Sequence, residues 1–122
     1  MLNGRTALVV EEEFLIALDI QRMLETLGVG QTLFARTAAE AEQLRASWPE
    51  IGLAIVEIRS HGTAAHQLVE GLTRDGIPMV LTTADLAMGN GSRAFPDLTV
   101  VAKPLPEDAL ASAIRQALAA RG

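Results

Sequence analysis

Several short apolar runs of this sequence are each followed by residues that can bear charge or form hydrogen bonds. These residues are Glu11, Glu12, Glu13, Glu57, Thr83 and Lys103. Carboxylates placed close together repel one another unless a cation offsets them, and Lys103 and a bound Mg²⁺ are two candidates for that cation. A hydroxyl and an ammonium beside them could hold a phosphoryl group by positioning and charge neutralisation. The residue types therefore predict cation binding or phosphoryl contact, provided that the fold brings the six side chains together.

The apolar runs alternate with segments of helical periodicity. Strands are predicted at 6–10, 31–35, 53–56, 79–82 and 99–102, and helices at about 13–27, 37–48, 63–75 and from 106 onward. This rhythm predicts an α/β fold of the doubly wound (βα)5 type. Its sheet would have five parallel strands in the flavodoxin-like order 2-1-3-4-5, with helices on both faces. Because parallel strands end at one edge, we expect the six residues to meet there.

Local motifs set the expected helix boundaries. Residues 37–40 (Thr-Ala-Ala-Glu) are typical of a capping box, and Gly28 is typical of a helix end. The second helix is expected to run to about Trp48 and to end before Pro49. The helical signal is poor over 84–96, where Gly-Asn-Gly-Ser is turn chemistry. A short or irregular fourth helix, or a mobile loop, is predicted there.

Composition excludes several function classes. The chain has 122 residues, a formal net charge of −5, 3% aromatic residues and no cysteine. An acidic chain with few aromatic residues makes a poor nucleic-acid binder, and no disulfide or thiolate site can form. No apolar run is long enough to span a bilayer, and the first residues do not form a signal peptide. We expect one cytoplasmic domain over 1–122 that contacts neither nucleic acid nor membrane.

In their order along the chain, these motifs resemble the receiver domain of response regulators in two-component signalling. The resemblance covers essentially the whole length. Glu11 and Glu12 match the acidic pair after the first strand, and Glu57 stands where the family carries its phosphoacceptor aspartate. Thr83 matches the switch hydroxyl, and Lys103-Pro104 matches the family's lysine and following proline, usually joined by a cis peptide. Each motif is weak alone, but their shared order makes the resemblance specific.

The resemblance implies a site, a cofactor and partners. Mg²⁺ would be bound by Glu11, Glu12, Glu57 and the backbone carbonyl of Arg59, while Thr83 and Lys103 would contact a phosphoryl group. The partners would be a sensor histidine kinase, a phosphotransfer protein or other signalling proteins. A homodimer could form through the face of the fourth helix and fifth strand. No enzymatic activity is expected.

Departures from the family pattern point to an atypical receiver. Glutamate replaces aspartate at positions 57 and 12, Val100 replaces the switch aromatic residue, and His61 stands where proline is common. A shift of about 1 Å in a reacting group can cost roughly a hundredfold in rate. We therefore expect a receiver that acts through protein contacts and is not switched by ordinary aspartyl phosphorylation. Glu57 would reach Lys103 and Thr83 directly and imitate a phosphorylated aspartate.

Other interpretations remain open at this point. The chain could be a phosphoryl-accepting receiver with Mg²⁺-dependent transfer from a histidine kinase. It could also be a flavodoxin-like binder of a small ligand, although the first loop is acidic where such a binder needs a glycine-rich phosphate loop. Residues 11–13 could simply be a favourable negative first turn of a helix, and Thr83 could bond its own backbone. His61 and His66 are expected to be ordinary surface residues.

Overall fold

A computed structural model gives the fold and describes residues 1–59, 62–85, 91–92 and 94–121. Five strands and four α-helices alternate along the chain, with a 3-10 helix before the third strand. In chain order they are β1 (Thr6–Val10), α1 (Phe14–Thr26), β2 (Gln31–Ala35), α2 (Ala38–Gln43), the 3-10 helix (Arg45–Glu50), β3 (Ile51–Glu57), α3 (Thr63–Arg74), β4 (Met79–Thr83), β5 (Val100–Ala102) and α4 (Glu107–Arg121).

The strands form a single parallel sheet in the order β2-β1-β3-β4-β5, which confirms the predicted doubly wound topology. The registers align the carboxyl ends of the central strands. Val10 at the end of β1 pairs with Val56 near the end of β3, and Thr83 at the end of β4 pairs with Ala102 at the end of β5. The residues that follow these strands therefore leave the sheet at the same edge, as expected of a parallel sheet.

The core lies in two layers, one on each face of the sheet. Alternate residues of a strand point to opposite faces, so an apolar strand can supply both layers. One layer contains Leu8, Val56 and Leu81, together with Trp48 and the buried residues of α3. The other contains the neighbouring strand residues and the buried faces of α1 and α4. The continuous apolar runs of the sequence are explained by this cover on both sides.

The prediction of an α-helix reaching Trp48 is wrong. The α-helix α2 ends at Gln43, and a 3-10 helix continues the chain through Pro49. The Ala41 carbonyl accepts the N–H of Leu44, three residues later, at 3.1 Å, and it also accepts the indole N–H of buried Trp48 at 3.0 Å. Because that carbonyl is taken by these two donors, the tighter 3-10 turn replaces the α-helical bond.

The start of α2 follows the capping box in one half only. The Thr37 hydroxyl accepts the N–H of Glu40 at 3.1 Å, as the motif predicts. The Glu40 carboxylate accepts the N–H of Arg36 at 2.9 Å, one residue before the cap. Two backbone donors at the helix start are thus satisfied, which is the physical purpose of the motif.

Helix α4 packs its apolar face against the sheet. Leu110 and Ile114 are fully buried, and Ala117 and Leu118 pack at the edge of the same layer, as the periodicity predicts. Pro106 lies one residue before the first helical residue rather than in the first turn, and its carbonyl accepts the N–H of Leu110 at 3.0 Å. No helix in the described ranges is both long and apolar enough to cross a bilayer.

In the segment 84–96, where an irregular fourth helix is predicted, residues 86–90 and 93 lie outside the described residues. The described residues of this segment contain no helix between β4 and β5. The dimer face predicted there is not addressed by the described residues.

Candidate functional site

The candidate site lies at the carboxyl edge of the sheet. Glu11 follows β1, Glu57 is the last residue of β3, and Lys103 follows β5. The backbone N–H of Lys103 donates to the Thr83 carbonyl at 2.8 Å, which fixes the lysine beside the end of β4. The Lys103–Pro104 peptide is cis, as the resemblance implies. Three adjacent strands and the edge strand β5 thus position the charged groups.

Lys103 lies between two carboxylates. Its Nζ is 2.7 Å from Glu11 Oε1 and 2.9 Å from Glu11 Oε2, and it donates to Glu57 Oε2 at 2.5 Å. The side chains are 7% exposed for Lys103, 0% for Glu11 and 14% for Glu57. The expected meeting of Glu57 and Lys103 is present, and these three residues are named the buried triad below.

The environment of the buried triad acts on the pKa of Lys103 in two opposite directions. Burial lowers the pKa of the Lys103 ammonium, because a charged group loses hydration. Hydrogen bonds to Glu11 and Glu57, together with attraction to their charges, outweigh that effect, and the pKa is raised above its ordinary value of 10.5. Lys103 is therefore held in its charged form.

Backbone N–H groups also donate to the carboxylates of Glu11 and Glu57. Glu11 Oε2 accepts the N–H of Glu13 at 3.0 Å, and Glu57 Oε1 accepts the N–H of Glu12 at 3.5 Å. Residues 11–13 therefore bend around the end of β3 before α1 begins at Phe14. The negative-first-turn interpretation is wrong, because the first turn of α1 contains no acidic residue. Glu13 is the exposed N-cap residue of α1, and its side chain makes no capping hydrogen bond.

Glu12 does not join the buried triad. Its carboxylate contacts Arg59 Nη2 at 3.1 Å, in an ion pair whose side chains are 58% exposed for Glu12 and 68% for Arg59. The family resemblance predicted a role for the Arg59 carbonyl as a metal ligand, but it did not predict the ion pair of the Arg59 guanidinium with Glu12. The sequence feature that could have indicated this ion pair is a cationic residue two positions after Glu57, within reach of residues 11–13, which are called the acidic loop below.

The predicted magnesium ligands are not gathered around one point. Glu11 and Glu57 contact Lys103, Glu12 contacts Arg59, and the Arg59 carbonyl accepts the N–H of Gly62 at 3.2 Å. Among the described residues, no three acidic or imidazole side chains are grouped as a metal site would require. The arrangement of these residues therefore does not fit a bound Mg²⁺, because protein cations already lie where its charge would act.

The switch positions have local contacts. Thr83 is fully buried, and its hydroxyl accepts the N–H of Asp85 at 3.0 Å, which is a common bond for threonine at a turn. Val100 is half-buried at the start of β5 and pairs with Leu81. The described contacts of Glu57 reach Lys103 and the acidic loop, so the expected contact with Thr83 remains a prediction.

Both histidines were expected to be ordinary surface residues, and the structure describes one of them. His61 is outside the described residues. His66 on α3 is half-buried rather than an ordinary surface residue, and its ring meets that of Phe95 edge-on with centroids 5.3 Å apart. Aromatic packing of this kind explains the burial.

Comparisons with known proteins identify relatives by structure. No family model and no curated protein matches the sequence. The receiver domain of the Erythrobacter litoralis PhyR response regulator is 25% identical with a TM-score of 0.74, and the match covers 96% of this chain and 92% of that chain. A signal receiver domain of an HD domain-containing protein from Pseudomonas fluorescens Pf-5 is 25% identical with a TM-score of 0.78. That match covers 98% of this chain and 90% of that chain. A response regulator from Thermotoga maritima shares the fold. It is 19% identical with a TM-score of 0.76, and the match covers 95% of this chain and 98% of that chain.

These likenesses agree with the sheet order. The relatives that are 25% identical are receiver domains, and the match covers nearly the whole of this chain. This chain therefore has the fold of response-regulator receiver domains and is similar to them over nearly its whole length.

Proposed function

We propose that this receiver acts through protein contacts without aspartyl phosphorylation, with Glu57 bonded to Lys103 in its resting form. The observation that carries the proposal is the 2.5 Å contact between Glu57 Oε2 and Lys103 Nζ within the buried triad. In the family pattern, Lys103 corresponds to the residue that contacts the phosphoryl group. Glu57 thus supplies negative charge to that ammonium without any modification.

The length of the glutamate side chain supports this role. Glutamate carries the charge of aspartate one methylene further from the backbone, which brings its carboxylate toward the strand-end lysine. The Thr83 hydroxyl accepts the Asp85 N–H, and the contact that supports the proposed imitation of a phosphorylated aspartate is that of Glu57 with Lys103. Glu57 therefore holds β3 and β5 together in a fixed arrangement.

The same contacts count against phosphoryl transfer. A carboxylate oxygen that attacks phosphorus must approach it in line at near-attack distance. Glu57 Oε2 is held by Lys103, and Oε1 faces the N–H of Glu12 at 3.5 Å. Turning either oxygen toward a donor would weaken a contact within a site where charged groups are buried.

The partners of such a receiver would be proteins. We propose that residues 1–122 act as one non-enzymatic receiver domain that contacts a histidine kinase, a phosphotransfer protein or another signalling protein. The net charge of −5 supports protein partners over nucleic acid. A homodimer through the face formed by residues 84–96 and β5 is a further proposal from the family pattern.

The proposal is tested by exposing the chain to acetyl phosphate and Mg²⁺ and measuring its intact mass. The wild-type chain is expected to keep its mass, because the Glu57 carboxylate is bonded to Lys103 and is one methylene further from the backbone than that of an aspartate. A receiver with aspartate at the acceptor position, treated in the same tube, controls for the donor. A stoichiometric phosphoryl gain that disappears in Glu57→Gln would overturn the proposal and support the Mg²⁺-dependent phosphoryl-accepting alternative.

A further inference from the structure

Each of the three carboxylates of the site contacts a cation of the protein itself. Glu11 and Glu57 contact Lys103 Nζ at 2.5 to 2.9 Å, and Glu12 contacts Arg59 Nη2 at 3.1 Å. A divalent cation needs several oxygens at about 2.0 to 2.6 Å around one point. In this site the carboxylates are divided between two cations, Lys103 and Arg59.

Arg59 determines where the Glu12 carboxylate lies. The backbone N–H of Glu12 faces Glu57 Oε1 at 3.5 Å, so the main chain of Glu12 borders the buried triad. Its side chain nevertheless points outward, to a guanidinium that is 68% exposed. A flexible glutamate released from that guanidinium could turn its carboxylate toward the triad, where it would add oxygens to the two already there.

We infer that Arg59 and Lys103 take the place of a divalent cation, and that Arg59 is the positioning residue that keeps Glu12 outside the site. With both cations in place, the carboxylates of Glu11, Glu12 and Glu57 retain a single net negative charge, which attracts a divalent ion weakly. The inference concerns the same site as the proposed function. A resting form that needs no phosphoryl group would in this way also need no Mg²⁺.

The experiment uses Mn²⁺ as the probe and paramagnetic broadening of backbone amide signals of the full chain as the readout. Arg59→Gln removes the guanidinium from an exposed position, so the fold is expected to persist, and circular dichroism checks this. Removing one positive charge beside the ion is expected to tighten Mn²⁺ binding about tenfold, with broadening centred on the amides of residues 11–13 and 57. Wild type is expected to show weak, diffuse broadening.

Two further variants make the comparison specific. Arg22→Gln removes an arginine whose side chain is 80% exposed and whose Nη1 lies 3.9 Å from Asp19 Oδ1, and it should match wild type. Arg59→Lys keeps the charge and should retain most of the exclusion. If Arg59→Gln binds Mn²⁺ no more tightly than wild type, or wild type already shows the focused broadening, the inference is overturned. Both results are independent of the phosphodonor assay, which reads mass rather than metal binding.

Discussion

Two ion-pair regions lie side by side at the carboxyl edge of the sheet, and they differ chiefly in their exposure to water. In the buried triad, the Lys103 side chain is 7% exposed and that of Glu11 is 0% exposed. In the neighbouring pair of Arg59 and Glu12, more than half of each side chain is exposed. Both regions join a glutamate of the acidic loop to a cation from a later strand end.

The difference shows that contact distance alone does not measure what an ion pair contributes. The Nη2–Oε2 distance of 3.1 Å for Arg59 and Glu12 is close to the contacts of the triad, but water and salt weaken the exposed pair. Breaking a buried pair leaves a charge without hydration, which is strongly destabilising. We therefore expect stability to depend on the triad and metal exclusion to depend on the exposed pair.

The largest expected effect comes from removing the ammonium of the triad. Lys103→Met leaves the carboxylates of Glu11 and Glu57 close together and without their cation, and the free energy of unfolding should fall by about 3 to 5 kcal/mol. Urea denaturation measures this change. Arg22→Met, on an exposed helix face, is the matched control and should change stability by less than about 0.5 kcal/mol. A loss below about 1 kcal/mol for Lys103→Met would contradict the importance of the triad.

Alkaline pH should weaken the same region reversibly. The pKa of Lys103 is raised in the folded chain, so its contribution is fully present below the ordinary value of 10.5. That contribution is lost as the pH rises through the folded pKa, because the unfolded chain then releases the proton more readily. Urea midpoints measured at about pH 8 and about pH 11 should differ more for wild type than for Lys103→Met. Equal differences would show that other groups cause the alkaline loss.

A smaller loss is expected when the charge of Glu57 is removed and its shape is kept. Glu57→Gln can still accept a hydrogen bond from Lys103 Nζ, and Glu11 still neutralises the ammonium. The free energy of unfolding should fall by about 1 to 3 kcal/mol, in the range for a partly buried charged hydrogen bond. Thermal denaturation monitored by circular dichroism measures the change. A variant more stable than wild type would indicate that Glu11 and Glu57 repel each other more strongly than Lys103 attracts them both.

The smallest effect on stability is expected from the exposed pair. Arg59→Gln should lower the free energy of unfolding by less than about 1 kcal/mol, because solvent screens the contact with Glu12. The same urea series gives the value, and raising the salt concentration should reduce the difference further. A loss as large as that of Lys103→Met would mean that the two regions form one structural unit.

Much of this fold could be predicted because local patterns agree with the tertiary arrangement. The strands and α1 and α3 follow apolar periodicity, and Thr37 and Gly28 mark helix ends where the structure has them. The end of α2 could not be predicted, because Trp48 is inserted into the core and its indole N–H takes the Ala41 carbonyl. The partial burial of His66 against Phe95 likewise depends on a long-range contact.

The amino-acid sequence was enough to predict that Glu11, Glu57 and Lys103 lie at one edge, because the strands of a parallel sheet end together. The departures from the receiver pattern could also be identified from the sequence, because they are differences in residue type at known positions. The division of the charges became visible only in the folded chain, where Lys103 lies between the carboxylates of Glu11 and Glu57, and Glu12 contacts Arg59. The physical reason is that strand order places backbones, whereas the direction of a flexible charged side chain depends on every neighbouring charge and on its access to water.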